Sequence, residues 1–154
     1  MKINCYKTNK EQLYKTFCVL AEKCYENRSQ TNVLTTADMT KDLDEYLWSY
    51  SKKKFIPHAL VSDPYSAIQP ILISCHTNKV RHADMYLFLK LDNNLIIEIL
   101  EQIENLKEVK KIIILDSDDN NRDLLIKDIK QRNLIEISEA KFYSQSAKNT
   151  WIEN

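Results

Sequence analysis

Not one of the 154 residues of this chain is glycine. Glycine accepts positive φ without a Cβ penalty and lets backbone N–H groups close on an anion, so Walker and dinucleotide loops are built on it. A phosphate-cradling loop of that kind is excluded here. Every tight turn and helix end must be made by residues with side chains.

The apolar pattern reads as alternating strands and helices. Residues 2–6 predict a short strand, and 10–25 a helix with Leu13, Phe17, Leu20, Ala21 and Cys24 at helical spacing. A second strand over 32–35 precedes a helix over 39–50, capped by Thr36 or Asp38 and burying Met39, Leu43 and Leu47. Residues 51–69, with a Lys run, Pro57 and Pro64, read as a long loop, the kind of segment that carries partner surfaces. Strands over 70–75 and 85–91, a helix over 94–105, a strand over 112–115 and a last helix over 119–132 follow. Short strands over 134–137 and 141–143 end the series. The expectation is a single α/β domain over residues 1–154: a mostly parallel, Rossmann-like sheet with helices on both faces.

Charge narrows the function. Lys plus Arg and Asp plus Glu number 22 each, so no net field holds the chain on a polyanion, and any nucleic-acid link should be indirect. The N-terminus lacks an apolar run and a cleavage site, and no 18 apolar residues run together, which predicts a cytoplasmic protein without a membrane segment. Cys5, Cys18, Cys24 and Cys75 sit at no metal-like spacing and read as small buried residues of a reducing compartment.

The sharpest catalytic candidate is IIILDSDDNNRD, in which Asp116 and Asp118 fall at the carboxyl end of an apolar strand. Strand-end DxD can hold Mg²⁺ for a phosphatase or nuclease. Such a site needs a further carboxylate and a phosphate donor, and neither is placed. The competing expectation is that Asp118 and Asp119 cap the next helix. As a calcium loop the segment fails, because Asn121 replaces the turn glycine and Lys127 the bidentate Glu. Cys75, His76, His82 and Asp84 do not form a metal set, since adjacent strand residues point to opposite faces. Nothing in the sequence orients His58 as a base. No cofactor, metal or catalytic residue is expected.

Aromatic residues give a stronger signal. Tyr46, Trp48, Tyr50, Phe55 and Tyr65 crowd around the Pro-containing loop, and the first three, two apart, fan around a helix that cannot bury them all. Exposed rings of this kind dominate protein interfaces. In the last helix, Lys127, Lys130 and Arg132 lie near Ile126 and Ile129, where they could hold an acidic peptide with a hydrophobic end.

The stretch LDEYLWSYSKKKFIPHALV, with Leu43, Asp44, Glu45, Leu47, Trp48, Phe55, Pro57 and His58, resembles the signature of the chi subunit family of bacterial DNA polymerase III. The order of elements resembles that family along nearly the whole chain. The resemblance implies a non-catalytic clamp-loader accessory subunit with a Rossmann-like fold. It further implies pairing with the psi subunit and capture of the acidic C-terminal tail of single-stranded DNA-binding protein. Trp48 and Phe55, with Pro57 and His58 shaping the loop, are then the psi interface. Leu115 with Lys127, Lys130 and Arg132 is the tail pocket, although the strand end and helix depart from the family's pattern there.

Overall fold

In a computed structural model, which describes residues 1–146 and 150–154, the chain forms one eight-stranded sheet between two layers of helix. β1 (Lys2–Lys7), α1 (Leu13–Glu26), β2 (Thr31–Thr35) and α2 (Thr40–Ser49) open the fold. β3 (His58–Leu60), β4 (Ile71–Cys75), β5 (Met85–Leu89) and α3 (Asn93–Gln102) follow. β6 (Lys111–Asp116), α4 (Arg122–Gln131), β7 (Glu139–Gln145) and β8 (Trp151–Glu153) close it. The strand order is β3-β4-β2-β5-β6-β1-β7-β8, parallel except for the last pair. This is the mostly parallel Rossmann-like sheet that the alternation predicts.

The strands sort their side chains by parity onto two faces. Ile113 and Leu115 of β6 pack with Val33, Leu87, Phe17, Leu43 and Leu47 beneath α1 and α2. Ile112 and Ile114 pack with Phe88, Ile96, Leu100, Leu125 and Ile129 beneath α3 and α4. Because both faces are covered, β2 and β5 are buried at every position, as continuous apolar runs in parallel sheets require.

Several boundaries differ from expectation for local reasons. Residues 10–12 form a turn rather than helix, with Asn9 Oδ1 accepting from the Gln12 amide at 2.8 Å. Neither Thr36 nor Asp38 caps α2; its N-cap position is Met39 in helical backbone, with no side-chain cap. The long loop is not continuous. It contains β3, seated on β4 in parallel register, and a 3-10 turn at Ser66–Ile68. Residues 134–137 form no strand, whereas 139–145 pair along the full length of β1. β8 adds an antiparallel edge, with Trp151 edge-on to Tyr6 and Tyr6 stacked on Tyr143.

Candidate functional site

Two regions carry the residues singled out by sequence. The first lies where α2 meets β3. Leu43 and Leu47 turn inward, which rotates Tyr46 and Trp48 toward solvent. Trp48 is 55% exposed and Phe55 62%, their ring centroids 5.3 Å apart. Buried Ile56 follows Phe55 and roots the segment in the core. Lys54 reaches back to Glu22 at 2.8 Å and Glu26 at 3.2 Å, tying the loop to α1. The two rings are therefore held out by a braced segment.

Pro57 leads into β3, and His58 is its first residue. The His58 side chain has no exposure, so it is no contact surface itself. Its Nδ1 donates to the Ile56 carbonyl at 2.7 Å, and its ring lies 4.7 Å from that of Trp48. Nε2 faces Asp44 Oδ1 at 3.3 Å, outside good hydrogen-bond geometry. Burial pushes the Asp44 carboxyl above its ordinary range, while His58 and a hydrogen bond from Trp48 draw it the other way. The structure thus brings Trp48, Phe55 and His58 together and adds Asp44, which sequence reasoning quoted but gave no role. Its spacing of four residues from Trp48 was the available signal.

The second region is the carboxyl end of β6. Asp116 is buried and pairs with Arg122 at 2.7 Å. It also accepts from the amides of Ser117 at 2.7 Å and Asp118 at 2.9 Å, and from the Asn120 side chain. Arg122 donates further to the Leu91 carbonyl at 2.9 Å and to Asn93 Oδ1 at 2.7 Å. Lys90 holds Asp118 at 2.6 Å and keeps its carboxyl below the usual range. Asp119 pairs with Lys7. The expectation that Asp118 and Asp119 cap α4 is corrected, because side-chain cations take both. Asn121 does the capping, accepting from the Leu124 amide at 3.4 Å. The carboxylates of the DxD reading are thereby engaged internally. Among the described residues no group of three or more His, Cys, Asp or Glu is placed to hold a metal. Arg122 escaped the sequence reading, since it begins α4 while Asp116 ends β6, and no single period relates residues of two elements.

The expected tail residues are not brought together as a set. Leu115 is fully buried and faces α1 and α2, while α4 covers the opposite face. Ile114, one residue earlier, points to the α4 side. There it lines a cavity of about 380 Å³ with Cys5, Phe142, Arg122 and Asn154. Lys127, Lys130 and Arg132 are exposed, and Arg132 pairs with Glu101 at 2.8 Å. No helix among the described residues is long and apolar enough to cross a membrane.

The chain is thus a Rossmann-like α/β protein that displays two exposed rings where α2 meets β3. The family model of the DNA polymerase III chi subunit, HolC, matches residues 1–133, and the chain belongs to that family. It is also 33% identical over 155 residues to the probable DNA polymerase III subunit chi of Rickettsia prowazekii (strain Madrid E). That match covers 97% of this chain and 90% of the relative. Chi is an accessory subunit of the replicative polymerase, not a catalytic one.

Proposed function

We propose that this chain is an adaptor in DNA replication, joining the clamp loader, through the psi subunit, to the C-terminal tail of single-stranded DNA-binding protein. The observation that carries the reading is the exposed Trp48–Phe55 pair, braced by Lys54 and seated on buried His58. Trp and Phe displayed on rigid backbone supply contact area at low entropic cost, the usual makeup of an interface hot spot. Psi is the partner assigned to this surface. Trp48 and Phe55 make the contact, and Pro57 and His58 set the backbone and ring beneath it. Phe55→Ala is expected to leave the thermal melt near that of the wild type and to weaken psi binding by about 2 kcal/mol or more. A collapsed melt would place Phe55 in the fold instead.

For the tail, Lys127, Lys130 and Arg132 supply the cationic half of the grip. Leu115, buried, stiffens the strand end rather than touching the ligand. The apolar seat for a terminal side chain is the cavity between Ile114 and Phe142. A peptide with an acidic run and a terminal Phe should bind and weaken with added salt as exposed charges are screened. Titration in which Lys127→Ala with Lys130→Ala binds as well as the wild type would refute this assignment. A Mg²⁺-dependent phosphatase or nuclease activity lost in Asp116→Asn would overturn the non-catalytic reading.

A further inference from the structure

We propose that Asp44 is a positioning residue of the aromatic surface: with His58 it forms a polar seat that fixes the outward bearing of Trp48. The inference rests on reading Trp48 and Phe55 as a partner surface, and deepens it. His58 is fixed first, because its Nδ1 donates to the Ile56 carbonyl at 2.7 Å within the segment that enters β3. The free ring nitrogen then faces Asp44 Oδ1 at 3.3 Å, and the ring itself lies 4.7 Å from Trp48. Asp44 stands one helical turn before Trp48, so carboxylate and indole share one flank of α2. Side chains from two elements thus converge on one orientation of the indole. Apolar packing alone is non-directional and would leave that orientation less defined.

The surroundings of the carboxylate work against its charge. Burial raises its proton affinity, and Asp63 and Glu45, the other charged groups facing it, act in the same direction, while His58 and Trp48 oppose. A carboxyl whose folded value is raised binds its proton more tightly in the fold. Its ionised form therefore lowers stability above that value, and the cost disappears as pH falls through it. A charge held where folding disfavours it is common at functional sites, and its contacts are the His58 ring beneath the partner surface and the Trp48 ring within it.

The test uses the full chain carrying Trp151→Phe, which leaves Trp48 as the sole tryptophan. Asp44→Asn should broaden the distribution of Trp48 fluorescence lifetimes, while the melting temperature at neutral pH stays at or above that of the parent. The same variant should bind purified psi subunit roughly tenfold more weakly, with Asp44→Glu recovering part of both losses. Unchanged Trp48 fluorescence in Asp44→Asn overturns the inference. So does a melting temperature well below the parent's, which would make Asp44 a structural residue. If Trp48→Ala binds psi normally, the partner-surface reading fails instead, and the fluorescence arm still decides whether Asp44 seats the indole.

Discussion

At the scale of residues, the absence of glycine shows where the backbone needs positive φ. Among the described residues Arg28, Tyr65, Lys90, Asn105 and Asn133 adopt it. Two of these end helices in the same way. Past α1, the Ser29 amide returns to the Cys24 carbonyl at 3.2 Å and the Arg28 amide to Tyr25 at 2.9 Å. Past α4, Leu134 returns to Ile129 at 3.3 Å and Asn133 to Lys130 at 3.1 Å. This double return closes a helix on a left-handed residue that is usually glycine. Asn tolerates the conformation through its short polar side chain, whereas Arg carries the full Cβ penalty. Arg28→Gly is therefore expected to stabilise the fold by about 0.5–1 kcal/mol, once the added freedom of the unfolded chain is deducted. Urea denaturation would measure it, and a loss of stability would mean that Arg28 makes a contact worth more than its strain.

At the scale of elements, Asp84 joins the amino ends of three strands. Its Oδ2 accepts from the Gln30 amide before β2 at 3.1 Å, and its carbonyl from the Lys110 amide before β6 at 2.8 Å. Lys110 Nζ lies 3.1 Å from Oδ1, and together with the Gln30 bond it draws the Asp84 carboxyl below its ordinary 3.8. A carboxyl with a lowered folded value contributes stability above its unfolded value and loses it as pH falls through the folded one. Asp84→Asn should accordingly be less stable than the wild type near neutrality, the gap closing as pH drops below 3.8. A gap that persists in acid would assign the effect to packing. Neither role is visible in the sequence, where Asp84 reads only as a metal-ligand candidate beside Cys75, His76 and His82. The strands it ties were foreseen, but not their adjacency.

For the whole molecule, the placement of β7 has the largest consequence. The family match covers residues 1–133, and β7 lies beyond it, pairing with every residue of β1. Ending the chain before Glu139 would leave β1 as an exposed edge strand with unpaired backbone groups and would uncover Ile3 and Cys5. Such edges template association between chains. The shortened protein is expected to aggregate or melt broadly in size-exclusion and thermal-unfolding experiments. A monomer that melts cooperatively would show that β7 is an accessory to a complete fold.

The run of apolar periods determined a great deal alone: the alternation of strands and helices, the parallel sheet, and the inward turn of Leu43 and Leu47. Such periods are local, so one sequence suffices to read them. The missing glycine likewise excluded a phosphate loop without coordinates. What the tertiary structure decided was contact between distant segments. It turned Leu115 away from α4 and set Ile114 toward the cavity instead, because strand parity is fixed only once β6 finds its neighbours. It drew Asp116 onto Arg122, where a DxD pair had suggested a metal. It also buried His58 beneath Trp48 with Asp44 alongside, since which side chains share a burial site depends on how α2 docks against β3.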